Sequence, residues 1–293
     1  MKAQPHPQAR SLVPLAVMLA VCIVFFGAAG ALQAHTIDKH FPVQPHPVIS
    51  VHNLRGTIVV KAWDKPEVYV TANHPSPKVE VEAEQNANRI ELTTHILSED
   101  TAPEELQADY EVMVPEETEL QIHDDSGLVT IVRVIGDLTV ETIGAGISIV
   151  DTGGSLTVRT VDGAFDCLRC GGRIEIFSIG GDMKLLENRS SAVYLQTTSG
   201  SILFDGDFLT NGTYTLKNAT GNTDVRFLPS DSIDLTAISL QGKVNSEFNL
   251  TPPAHPTHNA PRRASSLFGK VNSGMARVEL TSLSGTINIR KRE

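Results

Sequence analysis

At 293 residues, with 41% hydrophobic but only 5% aromatic content, the chain can form a substantial core but must build it from Val, Ile and Leu, which suit stacked strands. Its 34 acidic residues outweigh 24 Lys and Arg, for a formal net charge of -10. That balance, without a concentrated basic surface, argues against nucleic-acid binding and favours solubility.

The first element is the apolar run 12–30, uncharged and preceded by Lys2 and Arg10, which is the layout of a secretory signal or an N-terminal membrane anchor. As a helix it would span about 28 Å against about 30 Å of hydrocarbon, so its length suits either fate. Ala29-Gly30-Ala31 offers a small-x-small cleavage site, and residues 1–34 are read as a signal peptide, with an inner-membrane anchor as the alternative. Leu19-Ala20-Val21-Cys22 is a poor lipoprotein box, because Val precedes the Cys and the apolar run continues past it. Either fate exports the folded part to the periplasm or cell surface.

Residues 35–47, rich in His and Pro, read as a tether. From Ile49 to Leu92 apolar pairs recur (Ile49/Val51, Ile58/Val60, Val68/Val70, Val79/Val81, Ile90/Leu92), the period-two signature of half-buried strands. An acidic loop over 98–107 interrupts them before Tyr110, Val112 and Val114. The spacing then becomes strict: Leu120, Val129, Leu138, Ile147, Leu156, Phe165, Ile174 and Met183 step by nine, each followed two places later by a second inward residue. Most units carry a Gly just before the strand, where the chain turns. Val193, Ile202, Tyr214, Val225, Ile233 and Val244 continue the series across longer turns. Residues 251–274 read as a solvated loop excursion, and Val278/Leu280 with Ile287/Ile289 as the last coil, 275–293.

Two such units make a coil of about 18 residues, enough for one strand out and one back. The prediction is an all-β fold, a single-stranded parallel β-solenoid of about 18–21 residues per coil over 48–293. Its 48–115 strands are irregular and capping, and 116–250 holds the regular coils. Leu138, Leu156 and Ile174 are placed on one internal ladder and Ile147, Phe165 and Met183 on the opposing one, with Cys167 and Cys170 in the same core. A lone coil buries too little to stand, so stability must come from stacking and the ends need caps. The 49–115 strands are expected to close one end and the tail Arg290-Lys291-Arg292-Glu293 to protect the other.

A family resemblance rests on Gly56-Thr57-Ile58-Val59-Val60-Lys61-Ala62-Trp63-Asp64 with Val68-Tyr69-Val70, on the Ser199-Gly200-Ser201-Ile202 turn, and on the closing 278–289 segment. Over roughly 48–291 the chain resembles the bacterial putative-adhesin domain of unknown function. The resemblance implies a secreted or membrane-tethered β-solenoid of the cell envelope and supplies no catalytic residues. The excursion before the last strands departs from the family pattern.

Cys167-Leu168-Arg169-Cys170 admits three readings. Buried thiols are favoured, because Cys167 shares a slot with Val140, Ile149, Val158 and Ile176, and Cys170 with Ile143, Thr152, Val161 and Ile179. A structural disulfide is the second; redox or metal chemistry is the third, and no second Cys pair exists to complete a zinc site. His35, His40, His46, His52, His255 and His258 fall in Pro-rich or flanking segments that do not converge on a metal, and no metal or cofactor is expected. His123-Asp124-Asp125 precedes Ser126-Gly127, where acids serve a turn more readily than acid/base chemistry.

The outward columns are Thr139, Thr157, Glu175, Tyr194, Thr215, Asp234 on one sheet and Thr130, Ser148, Asp166, Lys184, Leu203 on the other. Acids diluted among Thr and Ser suit a solvated wall better than a catalytic groove. The N-x-S/T sequons at Asn188, Asn211, Asn218 and Asn249 read as turn asparagines. The expectation is a non-catalytic envelope module for interaction, adhesion or scaffolding, with a protein or polysaccharide partner. The alternatives are a carbohydrate-active β-helix enzyme, marked by clustered carboxylates, and a scaffold that self-associates through its terminal coils.

Overall fold

The computed structural model describes residues 35–252 and 264–292, so the apolar 12–30 segment and its cleavage site lie outside the described residues. The N-terminal strands are β1 (His35–Pro42), β2 (Val48–Trp63), β3 (Glu67–His74), β4 (Val79–Asn86), β5 (Arg89–Ile96) and β6 (Asp109–Pro115). Next come β7 (Glu119–Val132), β8 (Ile135–Thr142), β9 (Gly146–Val150), β10 (Gly153–Asp162), β11 (Phe165–Leu168), β12 (Gly171–Gly180) and β13 (Met183–Thr197). The remainder are β14 (Ile202–Gly206), β15 (Thr213–Asn218), β16 (Thr223–Phe227), β17 (Ile233–Ser239), β18 (Val244–Ser246), β19 (Ser265–Val271), β20 (Ala276–Ser282) and β21 (Ile287–Lys291). No helix among the described residues is long and apolar enough to cross a membrane.

The fold is all-β, and its strands form two parallel ladders. The first runs β5, the start of β2, the start of β7, β8, β10, β12, the end of β13, β15, β20 and β17. The second runs β6, the end of β2, the end of β7, β9, β11, the start of β13, β14, β16, β21 and β18. Leu138 pairs with Leu156 and Leu156 with Ile174, while Ile147 pairs with Phe165 and Phe165 with Met183. Alternation along each strand sends these side chains inward. Leu138, Ile147, Leu156, Phe165, Cys167, Cys170, Ile174 and Met183 are all buried, none more than 3% exposed.

Sequence order and stacking order differ at both ends. β20 and β21 lie between the β15–β16 coil and the β17–β18 coil, so the strands last in sequence are internal to the stack. Beyond β17 lies β19, paired antiparallel, so part of the expected 251–274 excursion is a capping strand; residues 253–263 lie outside the described residues. Correspondingly, the tail does not shield an end: Arg292 hydrogen-bonds the side chains of Asp205 and Asp207. At the other end β2 is a regular coil lying between β5–β6 and β7, while β4, β3 and β1 add antiparallel strands outside it. The expected tether at 35–47 is therefore largely strand β1, held where Phe41 turns inward and Lys39 Nζ donates to the Ala83 carbonyl at 2.7 Å.

Three register expectations are corrected. The Cys170 slot is not uniform: Thr152 and Cys170 are buried, but Ile143, Val161 and Ile179 are 54%, 44% and 58% exposed. The two halves of a coil turn differently, so this slot repeats every second unit. After Met183, Thr223 rather than Val225 stands opposite Ile202, and Leu235 rather than Ile233 joins the Tyr214 and Val278 column. Each slip is two residues, because a longer turn can shift a strand without changing which face is buried only in steps of two. By the same shift Thr236, not Asp234, follows Glu279 on the outer column.

One corner of every coil is built from a repeated tetrad, a small polar residue followed three places later by Gly: Asn53 to Gly56, Asp124 to Gly127, Thr160 to Gly163, Ser178 to Gly181, Thr197 to Gly200, Asn218 to Gly221, Ser282 to Gly285 and Ser239 to Gly242. Ala145 takes the Gly place after Thr142. The polar members are all buried and stack in a single file. The amides of Gly221, Gly242 and Gly285 donate to Asn218 Oδ1, Ser239 Oγ and Ser282 Oγ at 2.9, 3.0 and 2.8 Å, the side-chain closure of a tight turn. Asn218 Nδ2 and Ser239 Oγ also donate, both at 2.8 Å, to the Gly carbonyls one coil away, Gly200 and Gly285. The glycines stack in a second file so close that a Cβ on Gly285 would collide with the Gly221 carbonyl.

Candidate functional site

Chemistry accessible to a partner lies on the outer wall of the first ladder. The strands β10, β12, β13 and β15 set its columns: Thr157, Glu175, Tyr194 and Thr215 in one, Arg159, Phe177, Gln196 and Lys217 in the next. Phe177 and Tyr194 are diagonal neighbours, both half-buried, with ring centroids 5.4 Å apart at 41°. The Arg159 guanidinium lies 5.9 Å from the Phe177 ring centre and Lys217 Nζ 5.2 Å from that of Tyr194. Arg173 Nε donates to Glu175 Oε1 at 2.9 Å and Arg159 Nη1 to Glu141 Oε1 at 3.2 Å. Lys217 meets no carboxylate at ion-pair distance among the described residues; its nearest polar contact is the Tyr194 hydroxyl at 3.5 Å. Together the strands frame a shallow depression of about 530 Å³ that includes Arg173, Phe177, Tyr194, Thr213 and Thr215.

A second concavity, about 740 Å³, lies at the opposite corner beside Cys170. Asp151, Arg169 and Glu187 line up there at eighteen-residue intervals with φ of 56°, 52° and 51°, continuing from Arg133 at 59°. Arg169 grips both carboxylate oxygens of Asp151, at 2.5 and 2.9 Å, and so holds the Asp151 carboxyl below the usual carboxylate range. Burial works against the Arg292 charge, but Asp207 and Asp205 more than offset it and raise its pKa. Arg189 completes the cluster at 3.5 Å from Asp207. Every charge in this notch is already answered by another, so it reads as a structural clasp.

The sequence motifs find plain places. Cys167 and Cys170 are joined by a disulfide with Cα atoms 6.1 Å apart, which replaces the buried-thiol reading while leaving both residues in the core. His123 lies outward, with its ring 6.0 Å from His52 and Nδ1 3.9 Å from Glu141 Oε2. Asp124 turns inward and is fully buried, its carboxylate without a hydrogen bond of ordinary geometry, and burial pushes its pKa up to about 7. No group of three or more potential ligands among the described residues could hold a metal. The sequons at Asn188 and Asn218 are closed to modification, since both side chains are buried; Asn188 Nδ2 donates to the Cys170 carbonyl at 3.2 Å. Phe177 escaped the sequence reading. Its signal was an aromatic residue standing among Glu141, Arg159, Gln196 and Lys217 in one outward column.

A family model described as Toastrack DUF4097 matches residues 47–290. Among solved structures the chain is similar to a putative cell adhesion protein from Clostridium sporogenes, at 10% identity and TM-score 0.32 over 88% of this chain and 100% of that one. A putative adhesin from Bacteroides fragilis gives 12% and 0.32 over 88% and 97%, and a putative lipid binding protein from Parabacteroides distasonis 9% and 0.28 over 88% and 97%. No residue role is carried over from them. No curated protein matches the chain significantly.

Proposed function

This chain belongs to the Toastrack DUF4097 family, and from that premise we propose that it is a non-catalytic interaction module of the bacterial cell envelope. In this reading it is a single-stranded parallel β-solenoid, exported through its N-terminal segment, that binds its partner on the outer wall. One observation carries the proposal: Phe177 and Tyr194 stand half-exposed on a flat wall where neighbouring columns are Thr, Gln and charge, with an unneutralised Lys217 beside them. Aromatic residues are over-represented where proteins meet partners. On this wall Glu141 and Glu175 are tied to Arg159 and Arg173, which weighs against their serving as the free acid/base pair that glycoside hydrolysis requires.

The test is co-sedimentation of the full-length chain with isolated bacterial envelope, comparing wild type with the Phe177→Ser/Tyr194→Ser double variant. Binding by the wild type and its loss in the variant, with unchanged melting temperature, is the expected result. Release of reducing ends from an envelope polysaccharide, or equal binding by both proteins, overturns it.

A further inference from the structure

We infer that the Phe177–Tyr194 wall is a subsite for an acidic polysaccharide, a carboxylate-bearing sugar chain laid along the strands of β12, β13 and β15. The inference deepens the proposed function and rests on it. A sugar ring has one face rich in C–H groups and an edge of hydroxyls, so its recognition needs an exposed apolar ring face with planar polar groups alongside. The wall supplies both. The Phe177 and Tyr194 rings lie 5.4 Å apart and mutually tilted, and both side chains are partly exposed. Around them Gln196 and Thr213 are exposed and Thr215 partly exposed, offering amide and hydroxyl groups for hydrogen bonds.

The preference for acid follows from charge. The chain as a whole is at -10, so an anionic ligand is repelled except where positive charge is locally unanswered. Arg159 and Arg173 are each engaged by a carboxylate, but Lys217 is paired only with the Tyr194 ring and hydroxyl. A ring face with an ammonium at its edge places a sugar's apolar side on Tyr194 and its carboxylate on Lys217. A neutral sugar gains only the first contact. A single cation also limits the preference to chains of moderate charge density, because a densely sulfated polymer would meet the surrounding acids.

Affinity electrophoresis of the full-length chain in gels containing polygalacturonate or neutral dextran tests the inference, alongside Tyr194→Ala, Phe177→Leu and Lys217→Gln variants. Expected are retardation by polygalacturonate, weaker retardation by dextran, and about tenfold weaker polygalacturonate binding for Tyr194→Ala. Lys217→Gln should abolish the preference for the acidic polymer and flatten the salt dependence without changing the dextran response. Phe177→Leu retains packing, so lost binding with an unchanged melt marks a ring that meets ligand. If neither polymer retards the wild type while envelope co-sedimentation still depends on Phe177 and Tyr194, the saccharide assignment fails and the wall reading survives. If all variants bind as wild type does, the aromatic pair is an ordinary cross-strand contact and both readings fall.

Discussion

Asp124 lies opposite Asn53 across the seam between β2 and β7, and it is the one acid in a buried file otherwise made of Thr, Ser and Asn. Asn53 gives its amide to the Ala108 carbonyl at 3.2 Å and accepts from Thr94 at 2.9 Å, so its hydrogen-bonding capacity is largely spent. Burial raises the Asp124 pKa from 3.8 to about 7; the Asn53 amide opposes the rise and the charge of Asp125 adds to it. Tyr110, bonded to Thr94 and itself pushed to about 12 chiefly by burial, faces the same acid.

The stability of the protein should therefore fall as pH rises from about 4 to about 7. In that window the native state keeps the Asp124 proton that the unfolded chain releases, and above it the native state carries a buried charge. Asp124→Asn should remove this slope and stabilise the protein at pH 8 by an amount on the order of 3 kcal/mol. Denaturant midpoints of both proteins at pH 5 and pH 8 measure it. An equal gain at both values would show that the effect is not titration of this carboxyl.

The file of turn glycines predicts a contrast between two similar substitutions. Gly285→Ala places a methyl against the Gly221 backbone and should cost about 3 kcal/mol or prevent folding. Gly144→Ala, where a Cβ comes no closer than 3.9 Å to another atom, should be within about 0.5 kcal/mol of wild type. Thermal melts of the pair decide it.

At the opposite corner Glu187 holds a left-handed conformation at φ 51°, and its nearest ion-pair partner, Arg169, is 4.0 Å away. So long a contact at an exposed site contributes little. Glu187→Gly should therefore be more stable than Glu187→Ala by about 1 kcal/mol, since only glycine takes this conformation freely. Equal midpoints for the two would mean that the backbone relaxes out of the left-handed region.

Arg292 binds Asp205 and Asp207 with its side chain only 23% exposed, and its amide donates to the Phe227 carbonyl at 2.8 Å. Arg292→Ala should lower stability by about 1–2 kcal/mol, and somewhat less at high salt, which screens the part of these charges that still reaches solvent. Urea titrations at low and high ionic strength test both parts.

The strand parity was legible in the sequence, because inward residues at Leu138, Val140, Leu156 and Val158 alternate wherever one face is buried. The corner tetrads were equally written there but were read as separate turns, since their unity appears only when coils are laid upon one another. Beyond Met183 the chain could be followed by face but not by register, as Thr223 in place of Val225 shows. The stacking order was not legible at all. Nothing local in Val278–Ile289 distinguishes a coil at the end from one placed between two others; that depends on pairings across 64 and 43 residues, such as Tyr214 with Val278 and Leu235 with Val278. The candidate wall was half visible: Tyr194 was placed outward, but Phe177 became meaningful only beside it.

The position of β20 and β21 bears on how the molecule is made. A stack assembled in the order of synthesis would lay β17 and β18 directly on β15 and β16, yet their native neighbours on that side are residues 276–291, which leave the ribosome later. Until they arrive, β17 can pair with β19 on one side, but the coil of residues 233–246 lacks its native neighbours on the other. The last strands of the sequence therefore act as a keystone: without residues 276–291, the facing edges of β15–β16 and β17–β18 would both lack their native partners.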